Sequence, residues 1–183
     1  MKITQLIKQF GGFILLFICS QNALAYAISQ QQINDYLIRT RVIEDQFSIP
    51  RLLNINYRLQ DLRTQIGKNG SPRMEVSGKV DGTLTINNES FPIPLDLTFD
   101  TVPYYDATRG QIYLKDIQIL HWSSSSAQVQ NIMPMIDYRF AELLNQFPVY
   151  TLDESKPEEL MIKKVAKGIK VAEGQLEIET NLF

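Results

Sequence analysis

The chain is poor in groups that carry out covalent chemistry. His121 is its only histidine and Cys19 its only cysteine. A Ser–His–Asp relay could draw on His121 with Ser123, Ser124 or Ser125. Alternation places His121 in a strand beside Trp122, however, and no nucleophile elbow surrounds the serines. Transition-metal sites need several His or Cys ligands. Carboxylates alone would suit only a calcium-like ion, and no EF-hand spacing occurs. Asp81, Asp96, Asp100, Asp106 and Asp116 are scattered through strands and loops. They read as solvated faces, not as a glycosidase pair across a cleft. No glycine-rich phosphate loop exists. Asn88-Glu89-Ser90 fits a glycosylation acceptor and reads as a turn. The sequence thus predicts no enzyme, no metal and no cofactor.

The residues arranged for a task are apolar. Val129, Ile132, Met133, Ile136, Phe140, Leu143, Leu144 and Phe147 recur at helical spacing. Met74, Val76, Val80, Leu84 and Ile86 share one face of an alternating stretch, with Gly78 and Gly82 on that same face. Small residues there leave space for a ligand or seat another element. The candidate site is a hydrophobic groove lined by Met74, Val76, Val80, Leu97, Val129, Ile132, Met133, Ile136, Phe140 and Leu143. Its partner would be a lipid-like small molecule, to which Met133 and Met135 can adapt. The competing reading of the same stripe is a plain packed core.

The elements that must position this stripe are legible in outline. Ser29 and Gln32 form a capping box, and Ile33, Tyr36 and Leu37 share a helical face after it. Four long strands follow: Leu53–Ile66, Arg73–Ile86, Ile93–Thr101 and Gln111–Trp122. The first and fourth each change phase midway, which predicts bulges that bend them. Gly67 to Pro72 and Pro103 to Gly110 read as connections. Ser125 with Gln128 caps the stripe helix, inside which Pro134 removes one backbone bond. Ser155-Lys156-Pro157-Glu158 begins a third helix with Gly168 as its stop, and a hairpin turns at Glu173-Gly174. This predicts an α+β fold: a long, strongly curved antiparallel sheet wrapped around one amphipathic helix, Ser126–Phe147, with shorter helices closing the ends.

The N-terminus reads as an export signal. Lys2 and Lys8 precede the apolar run Gly11–Ile18, which is too short to span a bilayer. Ala23-Leu24-Ala25 supplies a small-x-small end, so the expected cut follows Ala25 and leaves one domain, 26–183, in the periplasm. The alternative is a lipoprotein cut before Cys19, anchoring the protein to a membrane peripherally through an N-terminal lipid; Leu16 fits it, but Phe17 and Ile18 are bulky. Losing Lys2 and Lys8 moves the formal charge from -2 to -4, which argues against a nucleic-acid partner. An outer-membrane barrel ending at Phe183 is also disfavoured, since Asn181, Glu179 and Glu177 occupy its lipid-facing positions.

The Ile33 helix, Thr64-Gln65-Ile66-Gly67 and Pro103-Tyr104-Tyr105-Asp106 occur in this order. Gly110-Gln111-Ile112-Tyr113-Leu114-Lys115-Asp116, Pro148-Val149-Tyr150 and Lys163–Ile169 with Gly174 follow. In this order and spacing, over the whole mature chain, the sequence resembles the YceB-like bacterial envelope lipoproteins, a family of uncharacterised function. The resemblance implies a tubular lipid-binding (TULIP-like) fold, in which lipid sits between a long helix and a curved sheet. Phe17-Ile18 departs from the good lipobox of that family.

Overall fold

The four alternating stretches become the long strands of one antiparallel sheet in a computed structural model, which describes residues 26–40 and 43–180. In chain order the elements are β1 (Ala27–Ser29), α1 (Gln30–Arg39), β2 (Ile43–Ile49), β3 (Leu53–Ile66), β4 (Met74–Ile86) and β5 (Glu89–Pro92). Then come β6 (Leu95–Asp106), β7 (Gln111–Ser124), α2 (Ala127–Leu144), β8 (Tyr150–Thr151), α3 (Pro157–Val165), β9 (Ala166–Ala172) and β10 (Gln175–Thr180). The larger sheet has the order β2-β3-β4-β6-β7-β8. β5 takes the edge of β4 at Thr83–Ile86, beyond the stretch Met74–Val80 that pairs with β6. A smaller sheet has the order β1-β10-β9.

Both expected bulges are present. The β3–β4 register shifts between Gln60 and Arg63, where Asp61 has a positive φ of 55°. The β6–β7 register shifts twice, and Asp116 has a φ of 50°. Side chains pin this second bend. Thr101 Oγ1 donates to Lys115 O at 2.8 Å, and Arg73 Nη2 donates to Asp116 O at 2.7 Å. Arg73 also pairs with Asp100 at 2.7 Å. An extra residue leaves backbone groups off the ladder, and these bonds give them partners.

α1 forms where the capping box placed it, with Ser29 and Gln32 bonding reciprocally. Its polar side covers a strand edge. Asn34 Oδ1 accepts from Thr64 N at 2.7 Å, and Gln30 Oε1 accepts from Ile66 N at 2.9 Å. β2 pairs with β3 only as far as Leu59, so these two side chains replace a strand partner beyond it. The β9–β10 turn adds Gly174 N donating to Ile66 O at 2.9 Å.

The expected wrapping of the sheet around one long helix is overturned. Among the described residues strands dominate, and the three α-helices are short, with 10, 18 and 9 residues. α2 ends at Leu144, short of Phe147, and runs alongside β7. An amphipathic stripe shows that a helix buries one face, not what encloses it. The sheet's apolar face is also covered by α1, and the smaller sheet meets it through β9 against β6. One buried cluster accordingly joins Ile28, Leu176 and Ile178 to Leu84, Phe99 and Val129.

Local expectations are corrected too. The cap of α2 is Ser126, whose Oγ accepts from Val129 N at 3.5 Å, in place of Ser125. Lys156 is the N-cap of α3 and gives no side-chain cap; Ser155 Oγ donates to Asp153 instead. α3 passes directly into β9, so Gly168 is a strand residue. The strand β6 runs on to Asp106, because Tyr104 and Tyr105 favour a pleated, half-buried surface more than Pro103 disfavours it. β2 is a strand that the alternation did not predict.

Candidate functional site

The candidate site lies between α2 and the sheet. β7 passes into α2 through Ser125 and Ser126. Ser124 Oγ donates to Pro94 O at 2.5 Å and accepts from Ser126 N at 3.1 Å, which fixes this corner. Gln130 Nε2 donates to Ser124 O at 2.7 Å. After α2, Val149 N donates to Ile112 O at 2.8 Å, at the other end of β7. α2 therefore runs back antiparallel to β7.

The structure gathers Met74, Val76, Val80, Leu97, Val129, Ile132 and Met133 into one apolar cluster. Ile132 is 8% exposed and the others are 0–2% exposed. They belong to the packed core. The side chains of Ile136, Phe140 and Leu143 lie outside the described residues, as do Cys19, Ala23 and Ala25. Met135 is exposed, off the buried stripe.

The two glycines on this face are occupied from β3. A Cβ on Gly78 would meet Leu62 Cδ2 at 2.7 Å, so the bulge residue Leu62 fills that place. A Cβ on Gly82 would meet Asn56 O at 2.1 Å, so β3's backbone closes in there. Neither glycine seats the helix.

Partly exposed apolar residues lie elsewhere. Ile117, Ile119 and Trp122 are partly buried along β7, and Leu120 is exposed. Phe47, Ile49, Ile86 and Phe91, on β2, β4 and β5, are also partly buried. Nothing in the sequence distinguished these four from ordinary core; Phe47 and Ile49 lie in a strand that was not expected.

Polar groups converge less. Two surface depressions of about 600 and 510 Å³ share Asp81. The first is lined by Glu44, Asn56, Arg58 and Thr83, among others, and Arg58 pairs with Glu44 at 2.7 Å. Asp81 accepts from Gln60. No group of three or more potential metal ligands occurs among the described residues. His121 is exposed opposite Thr98, and the Ser124 hydroxyl beyond it is committed to Pro94.

One buried charge stands out. Glu159 is 1% exposed on α3. It accepts from Asp153 N at 2.7 Å, Lys156 Nζ at 2.8 Å and Tyr150 Oη at 3.3 Å. Burial, and next the Glu159 charge, pushes the Tyr150 phenol above its ordinary range. The same two causes raise Tyr26. Three donors on one carboxylate make this a brace for the loop before α3, since a buried charge persists only when so compensated.

Comparison with known proteins places the chain. An uncharacterised lipoprotein YceB of Escherichia coli (strain K12) is 28% identical over 171 residues, covering 90% of each chain. The YceB proteins of Shigella flexneri and Salmonella typhimurium match to the same extent. Among solved structures, a lipopolysaccharide binding protein aligns with a TM-score of 0.30 and 11% identity, over 84% of this chain and 48% of that one. A likeness that slight carries no argument. The family model described as "Protein of unknown function (DUF1439)" matches residues 28–175, and the chain belongs to that family.

Proposed function

We propose that this is a non-enzymatic bacterial envelope protein that binds a lipid-like molecule between α2 and the inner face of the larger sheet. The naming of its relatives as lipoproteins supports the envelope location. The observation that carries the ligand reading is how α2 is attached. It runs alongside β7, the strand it follows in the chain, over an apolar face, and Pro134 interrupts its backbone bonding. A helix that takes no part in the strand ladder can lift without unpairing it. The buried state of Val129 and Met133 describes the closed form, so an acyl chain enters only as α2 moves.

A second reading is favoured by the same burial: a filled core whose outer surface meets a protein partner. Native mass spectrometry of protein purified from its own envelope separates the two. A lipid mass on the folded protein supports the first reading. Ligand-free protein in every preparation, with a crosslinked protein partner, supports the second.

A further inference from the structure

The two ends of the larger sheet differ. At the Ile66 end of β3, α1 and the β9–β10 turn cover the strand. α2 begins at the level of Ser124, which pairs with Leu95 and through it aligns with Val80 and Leu59. It then runs toward Ile112, away from the other end. β2 to β5 therefore extend about 20 Å past the start of α2, the length of six residues from Leu59 to Leu53.

The inner face of this extension is apolar in two cross-strand rows. Phe47, Ile55, Leu84 and Phe91 form one, and Ile49, Leu53 and Ile86 the next. Leu53, Ile55 and Leu84 are buried, while the outer members of both rows are partly exposed. At the turn beyond them Leu52 is 46% exposed. Apolar surface thus continues without a break from an exposed turn into the core.

The turns themselves are tight and polar-edged. Arg51, Asn87 and Asn88 all have positive φ, so both hairpins stop at one level, where Leu53 faces Ile86. Arg51 makes no ion pair among the described residues. Exposed Glu89, opposite Ile86, carries the opposite formal charge at the same level. An apolar residue at turns that also carry a cation and amides suits the boundary between headgroups and acyl chains.

We propose that the paired β2–β3 and β4–β5 turns form a membrane-contacting tip that inserts Leu52 into the interface of a phospholipid bilayer. This rests on the lipid-binding reading and names where the ligand is exchanged. Because Arg51 and Glu89 sum to no formal charge at the turns, apolar insertion drives contact more than charge does.

Cosedimentation with phosphatidylethanolamine–phosphatidylglycerol vesicles tests the tip. Leu52→Glu is expected to lower partitioning at least tenfold. Met161→Glu is the control: Met161 is 65% exposed on α3, at the far end, and its change is expected to have no effect. Leu52→Trp is expected to shift its emission to the blue on vesicle addition. No partitioning of the parent protein, an equal loss in Met161→Glu, or an unshifted Leu52→Trp emission overturns the proposal. So does a dimer that Leu52→Glu dissociates while partitioning is unchanged, which would make the tip a contact between copies. Native mass spectrometry keeps the two readings apart. Copurified lipid without vesicle partitioning removes the tip and spares the ligand site; partitioning without copurified lipid does the reverse.

Discussion

At the residue scale the buried Glu159 sets the sharpest expectations. Its carboxylate ties Asp153 N, Lys156 and Tyr150 together. Removing it leaves three donors to find water from a buried site. Glu159→Ala is expected to cost about 2 kcal/mol, less than a fully buried pair because Lys156 is half exposed. Chemical denaturation checks this. The phenols beside it give a pH dependence of definite sign. Tyr150, Tyr26 and Tyr105 are all raised from the ordinary value of 10.0, in each case mainly by burial. The unfolded chain ionises first, so this stability is complete below about pH 10 and is lost as pH rises beyond it. Denaturation midpoints are expected to hold up to pH 10 and then fall. Tyr150→Phe should flatten part of that fall while costing about 1 kcal/mol at pH 7. An unchanged alkaline slope in Tyr150→Phe would show that Tyr150 ionises as freely in the fold as outside it.

At the element scale the glycines of β4 offer a comparison within one strand. A methyl on Gly78 meets the end of a flexible leucine side chain, whereas one on Gly82 meets the backbone of β3. Gly78→Ala is expected to cost at most about 1.5 kcal/mol, because Leu62 can change rotamer. Gly82→Ala forces two strands apart and is expected to cost about 3 kcal/mol or more. Thermal unfolding of both variants decides it, and equal losses would mean that the strands separate freely there. The sequence showed that these glycines lay on the apolar face, but not that β3 filled their places. Strand periods were legible because alternation is a local record of a two-sided environment. The phase slips at Leu59–Leu62 and Leu114–Ile117 located the bulge in β3 and one of the two irregularities in β7 for the same reason; the second, between Ile119 and His121, left no such slip. The enclosure of α2 was not legible. Val129, Ile132 and Met133 record that one side is buried, and nothing in their spacing distinguishes a strand laid along the helix from a sheet wrapped around it. The apolar stripe was therefore found, while its openness to a ligand was a matter of tertiary packing. The capping box at Ser29 succeeded because both its bonds are local; the edge cover by Gln30 and Asn34, to residues some thirty positions away, had no such signature.

At the scale of the whole molecule, the described chain starts opposite the proposed tip. Ile178 N donates to Tyr26 O at 2.8 Å, and Tyr26 lies within the electrostatic reach of Lys156 and Glu159 at the α3 end. β3 alone separates the ends by about 46 Å at its 14-residue length. Seven residues from Cys19 to Tyr26 reach at most about 25 Å. A molecule anchored through Cys19 would therefore stand on its α3 end with Leu52 pointing away from its own membrane. A molecule cut after Ala25 has no such constraint and can bring the tip to either membrane of an envelope. The two forms make different predictions about exchange. The anchored form would bridge two vesicle populations and raise turbidity; the free form would coat one population without bridging. The expected product is the free form, with an intact mass beginning at Tyr26, recovered in the soluble periplasmic fraction and unaffected by Cys19→Ser. A mass beginning at a lipidated Cys19, with loss of membrane fractionation in Cys19→Ser, would reverse the expectation and turn the tip toward the opposite membrane.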